Sequence, residues 1–417
     1  MNEGGWQVRA WAPGRTEIAG NHTDHQGGRV VSAAISRCMR ILLRKAYGDI
    51  ARVESEGYEP FEIELGDMSP QIAERNKTAA LVRGVANGLR AAGVGVRGFK
   101  VQVISTLPSG GGMSSSAAFE LALARGLALL FGEEEPDGHP AQPRAAQRKA
   151  ASAQRPAGKQ ASRLWMEPTA GLDASALVDI AVETERRYFG KSCGFQDQTA
   201  IAYGGICDMD FSDLQHPRVT PIDFDFAAHG LRIALVDTRS DHSAHTADFE
   251  RLVTDMETVA SYFGEEVLGR VDPESFFGSL GEACRVLPDS AVLRAWHYFT
   301  EMELVDRRAR AMREGDVAAF LQATRESGES SAEYLQNVSI SGSADQPAMV
   351  TLAACRRALA GQGAARIHGG GFGGTVQAYV PTERAEAFVS QVEALLGEGV
   401  CSFVEPVAEG AWAQWIV

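Results

Sequence analysis

The run Pro108-Ser-Gly-Gly-Gly-Met-Ser-Ser-Ser-Ala-Ala118 decides how this chain is read. Three consecutive glycines let the backbone turn tightly and bring its N–H groups close to an anion. Ser114, Ser115 and Ser116 add hydroxyls of the kind that bind phosphate oxygens or a magnesium ion. Downstream, Ala117 to Leu130 (AAFELALARGLALL) consists of strong helix formers. Upstream, Phe99 to Thr106 (FKVQVIST) alternates like a strand. Strand, glycine-serine loop and helix in that order deliver a phosphate to a helix N-terminus, where free N–H groups and the dipole favour negative charge. A plain glycine-rich turn is the competing reading, and this loop taken alone leaves both open.

Composition narrows the rest. The 417 residues allow two domains and an ample core, and the 45% hydrophobic content is that of a globular chain. A formal net charge of −14 argues against a nucleic-acid or membrane-surface partner, both of which call for basic faces. Cys38, Cys193, Cys207, Cys284, Cys355 and Cys401 are scattered without metal-like pairing and read as reduced core residues of a cytoplasmic protein. The N-terminal MNEGGWQVRAW lacks a charged-then-apolar leader pattern, and no apolar run is expected to reach transmembrane length.

Along the chain, strands are predicted at Trp6–Trp11, Arg29–Ala34 and Cys38–Arg44, and a helix at Thr78–Ala92. The segment 133–171 is rich in Ala, Gln, Pro, Arg and Lys and poor in large apolar residues. It is predicted to be a mobile insertion, with a basic tether for a partner as the alternative. A helix is expected over Leu172–Phe189, then structure over Phe195–Tyr203 and a buried strand at Leu231–Asp237. Helices follow at Ala247–Tyr262, Ala291–Arg313, Val317–Glu326 and Pro347–Leu359. Strands at Ala365–Ile367 and Thr375–Val380 and a helix at Arg384–Leu396 complete the pattern. Strand-rich sequence gives way to helices near residue 212, which sets the expected boundary between domains 1–212 and 213–417.

Three stretches carry the chemistry. Ala12 to Gly28 (APGRTEIAGNHTDHQGG) packs a cation, two carboxylates and two imidazoles into a turn-rich segment. Arg15 suits charge developing on a phosphate or an attacking oxygen, Asp24 can accept two sugar hydroxyls, and Asn21 and His22 can bond another. A polar loop satisfied by local hydrogen bonds remains the alternative. Glu185 to Gln198 (ERRYFGKSCGFQDQ) offers Glu185 and Asp197, one for a metal and one for a proton. Its Gly190-Lys-Ser192 mimics the tail of a Walker loop, but Glu185 stands where that loop needs glycine, so a P-loop is rejected. His368 to Gly374 (HGGGFGG) looks like a dinucleotide fingerprint, yet no βαβ unit follows it. It suits a loop lying close to another backbone or to the phosphate-binding loop.

Together these stretches resemble the GHMP kinase superfamily and, within it, galactokinases. Arg15 to Asp24 is similar to the signature GRVNLIGEHTDY, Pro108 to Ala118 to PLGGGLSSSAA, Ser192 to Gln198 to PCGIMDQ, and the loop beginning at His368 to GGGFGGC. Thr300 to Val305 resembles TENERV, and Asp241-His-Ser243 resembles an RHS triplet. The resemblance implies an α+β, two-domain GHMP kinase fold: an N-terminal mixed-sheet α/β domain with the phosphate-binding loop, a C-terminal ferredoxin-like α+β domain, and an active site in the cleft between them. It implies ATP and Mg2+ as cofactors and a sugar as the other small-molecule partner, with neither nucleic acid nor membrane and a monomeric state.

The roles implied are these. Asp197 is the catalytic carboxylate beside the anomeric hydroxyl, and Arg15 polarises that hydroxyl and stabilises the transferring group. Asn21, His22, Asp24, Gly194 and Phe249 form the sugar site. Gly110, Gly111, Gly112, Ser114, Ser115, Ser116 and Ala117 wrap the ATP phosphates, with Ser115, Ser116 and Glu185 around magnesium. Departures fall on the sugar side. The family's glutamate before His-Thr-Asp, which contacts the 6-hydroxyl, is Asn21 here; its asparagine after Arg-Val is Glu17; its tyrosine after the aspartate is His25. A sugar-contacting tyrosine aligns with Phe249, and adenine-stacking aromatics align with Thr78 and Leu81. The expected reaction is phosphorylation of an anomeric hydroxyl, foremost that of galactose. The alternatives are a related 1-kinase for an N-acetylhexosamine, a uronate or arabinose, and a catalytically silent sugar sensor.

Overall fold

Two long strands set up the architecture of this computed structural model, which describes residues 4–108, 112–133, 167–191, 193–213, 217–240 and 245–416. β1 (Val8–Ala19) and β2 (Arg29–Lys45) pair antiparallel, with Val8 opposite Leu43 and Arg15 opposite Ala34. The two strands predicted at Arg29–Ala34 and Cys38–Arg44 are the halves of β2. The break between them is a register shift opposite Pro13 and Gly14, where the chain bulges without leaving the sheet.

β1 and β2 centre an eight-stranded mixed sheet. Its order is β12 (Trp412–Trp415), β1, β2, β5 (Phe99–Ser105), β3 (Ile50–Ser55) and β4 (Phe61–Glu64). β6 (Ile206–Asp210) pairs with β2, and β7 (Arg218–Ile222) lies beyond it. The short strands β3, β4, β6, β7 and β12 escaped the sequence pattern because each is only four to six residues long. The sheet continues past residue 212 through β7 and takes back β12 from the far C-terminus, so its strands lie on both sides of the expected boundary.

Helix α1 (Thr78–Ala91) and helix α2 (Ser115–Gly132) pack on this sheet. Leu121, Leu123, Leu127 and Leu130 of α2 are wholly buried with Val8, Ile41 and Leu43 in one core cluster. Each such leucine contributes roughly 1.5–3 kcal/mol by leaving water. Among the described residues, α2 is the one helix long and apolar enough to cross a membrane; 78% of it is buried inside the fold. That corrects the expectation that no run reaches such length, and the burial explains it: the helix is apolar all round because it is surrounded.

The second sheet is antiparallel, in the order β11 (Cys401–Val404), β8 (Leu231–Asp237), β10 (Thr375–Pro381), β9 (Ala364–Ile367). Helices Pro347–Leu359 and Ala385–Leu396 cover it through Leu352, Cys355 and Phe388. The 26-residue helix Asp289–Glu314 ties the halves together. Its Val305, Ala309 and Met312 join the core of the first sheet, while Ala295, Tyr298 and Phe299 pack with Leu252, Met256 and Phe276 in a helical cluster.

Candidate active site

β1 carries Arg15 into the interior, where it is 7% exposed. Its Nε donates to Asp197 Oδ1 at 2.7 Å, and its Nη1 donates to the Gly112 carbonyl. Asp197 lies in the first turn of helix Gln196–Tyr203, and its other oxygen accepts the Ser114 hydroxyl. Ser114 is the N-cap residue of α2 and takes left-handed backbone angles (φ 57°, ψ 52°). One guanidinium thus pins the glycine-serine loop to the helix that bears the carboxylate. Burial alone would raise the Asp197 pKa; the Arg15 and Lys191 charges and the Ser114 hydroxyl outweigh it and hold the group below its ordinary value.

Glu185 is brought to the same loop by an irregularity. The helix predicted over Leu172–Phe189 runs from Ala174 to Glu183 and then widens into a π-helical turn, Thr184–Phe189. Such turns re-aim a side chain, and this one directs Glu185 at α2. Its Oε1 accepts the Ser116 hydroxyl at 2.7 Å and Lys191 Nζ at 3.1 Å, and its Oε2 accepts Gln198 Nε2 at 2.8 Å. Burial pushes the carboxyl up, but Lys191 and Ser116 overcome it, and the net shift is downward. Sequence reasoning missed Lys191 and Gln198 as members of the site. Lys191 stands in the Gly-Lys-Ser triplet set aside with the Walker loop, so a signal existed. Glu120, buried in α2, was also missed: Gln198 Nε2 lies 3.4 Å from it, and burial and the Glu185 charge raise its pKa well above the usual range.

Hard oxygen donors from Ser116 and Glu185 suit a magnesium ion shared with phosphate oxygens, since magnesium commonly takes one or two protein ligands beside a nucleotide. Ser115 opens α2, and Ala117 is buried in its first turn. Among the described residues no group of three or more His, Cys, Asp or Glu side chains could hold a metal alone. Gly110 and Gly111, Ser192, the Asp241-His-Ser243 triplet and residues 134–166 of the insertion lie outside the described residues.

The turn after β1 supplies the other wall. Asp24 begins a short 3-10 turn. Its carboxyl is pushed up to about 6 by burial and then by the Asp197 charge. Gly194 makes room for it: a Cβ at residue 194 would stand 1.7 Å from Asp24 Oδ2. Phe249, on helix Thr246–Tyr262, lies with its ring 5.5 Å from that of His22 and rests on Gly370, where a Cβ would come within 1.9 Å of Cζ. The closing glycine segment packs as expected beside the phosphate loop: a Cβ on Gly112 would meet His368 Nδ1 and Thr375 Oγ1, each at 3.6 Å.

Asn21 departs from its expected place among groups open to a sugar. It is wholly buried and its amide is committed to protein partners. Nδ2 donates to Glu17 Oε1 at 3.2 Å and to the Gly369 carbonyl, while Oδ1 accepts from Asn337 Nδ2 at 2.8 Å and Ser331 Oγ at 3.2 Å. Beneath it lies a buried ion network that the motifs did not announce. Arg366 donates to Glu17 at 2.8 Å; Arg308 pairs with Glu301, which also accepts the Gly20 backbone N–H at 3.0 Å. Burial opposes the Glu301 charge, yet Arg308, His297 and Arg366 bring its pKa down to about 2.

Comparison with known proteins agrees with this layout. The galactokinase galactose-binding signature matches residues 4–45, and the GHMP kinases N terminal domain matches residues 80–154. The chain is 28% identical to a galactokinase of Streptomyces coelicolor over 395 residues, 94% of this chain and 88% of that protein. It is 27% identical to a galactokinase of Actinobacillus pleuropneumoniae, over 90% of this chain and 86% of that one. In three dimensions it is similar to Lactococcus lactis galactokinase complexed with galactose, with a TM-score of 0.77 at 21% identity over 97% of this chain and 94% of the other. Methanococcus jannaschii mevalonate kinase shares the fold at a TM-score of 0.63 and 14% identity, over 97% and 99% of the two chains.

Proposed function

We propose that this chain, which belongs to the galactokinase family of the GHMP kinases, transfers the γ-phosphoryl group of ATP to the anomeric hydroxyl of galactose. The observation that carries the reading is the Arg15–Asp197–Ser114 cluster, which joins the phosphate loop to a buried carboxylate beside the Asp24 wall.

In this reading the phosphates lie against the 110–117 loop and the N-terminus of α2, where backbone N–H groups and the dipole meet their charge. Galactose lies against Asp24, His22 and Phe249, with its anomeric hydroxyl near Asp197. The sugar oxygen forms a bond to the γ-phosphorus as the bond to the bridging oxygen of ADP breaks. The hydroxyl proton passes to the Asp197 carboxylate. Arg15, bonded to Asp197 and to the Gly112 carbonyl, keeps a positive charge beside the equatorial oxygens of the transferring group. An ionised carboxylate with a depressed pKa is a weak base, which suits a transfer whose transition state is loose and whose proton leaves late. Ser115, Ser116 and Glu185 would hold magnesium, which when bound neutralises phosphate charge. The Asp197 charge acts on the Asp24 carboxyl here, and the His22 and His25 imidazoles are neutral at pH 7, with values lowered by burial to about 4. A neutral hexose fits such surroundings, whereas a uronate meets repulsion.

The test is ADP release with galactose, N-acetylgalactosamine, galacturonate and arabinose as acceptors. Galactose should give the highest kcat/KM and galacturonate the lowest. No turnover of galactose alongside brisk turnover of another sugar would overturn the substrate assignment.

A further inference from the structure

The turn that carries Asp24 is wired to the rest of the molecule by a chain of hydrogen bonds whose direction is fixed at both ends. At one end the Leu268 backbone N–H donates to Gln26 Oε1 at 3.2 Å. The Gln26 amide must therefore present its Nε2 hydrogens to His25 Nδ1, 3.2 Å away. That nitrogen is then an acceptor, so a neutral His25 carries its proton on Nε2. His25 Nε2 lies 3.2 Å from His22 Nδ1 and donates to it. His22 in turn carries its proton on Nε2 and donates to the Gly370 carbonyl at 3.0 Å. A carbonyl can only accept, so the far end confirms the polarity set by the near end. A proton added to either imidazole would set two donors face to face. Burial lowers the pKa of both rings to about 4, with His25 lowering His22 further and Glu17 and Asp24 opposing that; both rings are neutral at pH 7.

We propose that His25 is a positioning residue of the sugar site: its Nε2–H fixes the His22 tautomer and so anchors the Asp24 turn to Gly370, the glycine on which Phe249 rests. The His25 backbone N–H also donates to the Asp24 carboxylate, so the same residue sets that side chain from two directions. The turn is further held from below, where Gly269 lets the backbone approach the Gln26 and Gly27 carbonyls. The His22–His25 pair therefore links the wall that would touch the sugar to the loop around Leu268, which lies outside that wall. Removing the donor at residue 25 leaves His22 Nδ1 buried without a partner; the tautomer then rests on the Gly370 carbonyl alone, and a ring that turns to find a new partner for Nδ1 gives up that bond and with it the preference for Nε2–H.

Nitrogen-15 histidine NMR of the apo protein at pH 7 tests the chain without any substrate. Both His22 and His25 should show the neutral Nε2-protonated pattern. In His25→Leu, His22 should lose it and report a mixture of tautomers. In His25→Gln, whose amide nitrogen occupies the place of the imidazole Nε2 and can donate, His22 should keep it. The kinetic arm rests on the galactose reading. His25→Leu should raise the galactose KM about tenfold, the equivalent of ~1.4 kcal/mol, with the ATP KM and kcat nearly unchanged, and His25→Gln should recover most of the loss. An Nδ1-protonated or charged His22 in the wild-type protein overturns the proposal. So does a His25→Leu protein of native melting temperature with an unaltered galactose KM. Absence of galactose turnover in the wild type would instead count against the galactose reading, and the NMR result would stand apart from it.

Discussion

Gly194→Ala isolates the sugar wall from the phosphate loop. An added Cβ would lie 1.7 Å from Asp24 Oδ2 and 2.6 Å from its Cγ, where ordinary contact begins near 3.4 Å. The separation to the oxygen is half what the atoms need, so the carboxylate must retreat by well over an ångström or the 190–195 loop must lift. Gly194 does not have a positive φ, so alanine fits the backbone and the clash is the whole perturbation. Overpacking of this kind costs about 1–3 kcal/mol in stability. A displacement of ~1 Å in a positioning group costs on the order of 100-fold in turnover efficiency. Galactose kcat/KM should therefore fall 10- to 100-fold, mostly through KM, while the ATP KM changes less than about threefold. Steady-state kinetics with each substrate varied, together with a melting curve, provides the measurement. The same substitution made in an Asp24→Ala background should add almost nothing, because the group it displaces is gone. A galactose KM left at the wild-type value in a folded Gly194→Ala protein would refute the placement of Asp24. A full additional loss in the double variant would do the same.

Other perturbations probe the remaining parts. Asp197→Asn should lower kcat by about 10²–10⁴-fold in a protein that still folds and still binds ATP by calorimetry. Ser116→Ala, which removes the hydroxyl 2.7 Å from Glu185, should raise the magnesium concentration needed for half-maximal activity several-fold while leaving the galactose KM alone, as read by titration. Asn21→Glu should destabilise the protein by roughly 2–4 kcal/mol in urea unfolding, since a carboxylate would face Glu17 and the Gly369 carbonyl without donors of its own. Asp24, with its pKa raised to about 6 from 3.8, should bind sugar as the carboxylate, so the galactose KM should climb as pH falls below 6. The stability effect has the opposite sign: ionising this carboxyl in the folded state costs ~1–3 kcal/mol, a penalty present above pH 6 and relieved as pH falls toward 4, so Asp24→Asn should melt higher than wild type at pH 8.

The chemistry was legible where the backbone itself does the work. A tri-glycine, a tri-serine and an apolar helix mark out a loop at a helix N-terminus with little help from the rest of the chain, and Gly112, Ser114 and Ser116 meet Arg15, Asp197 and Glu185 there. Asp197 and Glu185 were legible as a pair of carboxylates near one loop, but the turn that aims Glu185 was not. A π-helical turn has the same side-chain pattern as the helix it interrupts, so Thr184–Phe189 read as more helix. Lys191 and Gln198 were hidden for a related reason: a lysine and a glutamine in a polar loop carry no periodic signal, and only the folded loop shows that both grip Glu185. The short strands β3, β4 and β12 were missed, since four to six residues hold few alternations; β9, equally short, was placed because it leads into the glycine run after it.

The departures from the family signature gain a different meaning once their neighbours are known. Read as single positions, Glu17 and Asn21 look like two independent edits of a sugar pocket. In the fold they touch each other, Asn21 Nδ2 to Glu17 Oε1, and both are shut away from solvent. The charge that the signature keeps at the later position stands four residues earlier here, where Arg366 meets it at 2.8 Å. A buried carboxylate without such a partner would cost several kcal/mol, and a buried amide can satisfy four surrounding groups where a carboxylate cannot donate to any. The pair is therefore one coupled exchange of charge and amide that keeps the core neutral. It follows that neither residue should be reverted alone. Asn21→Glu leaves two carboxylates side by side, and Glu17→Asn strands Arg366, whereas the double reversion restores one carboxylate and one amide. Urea unfolding of the four proteins should show the double variant less destabilised than the sum of the two single losses, by a coupling energy of about 1–3 kcal/mol. Strict additivity would mean that the two positions were edited separately and that the sugar pocket, rather than the ion network, explains them.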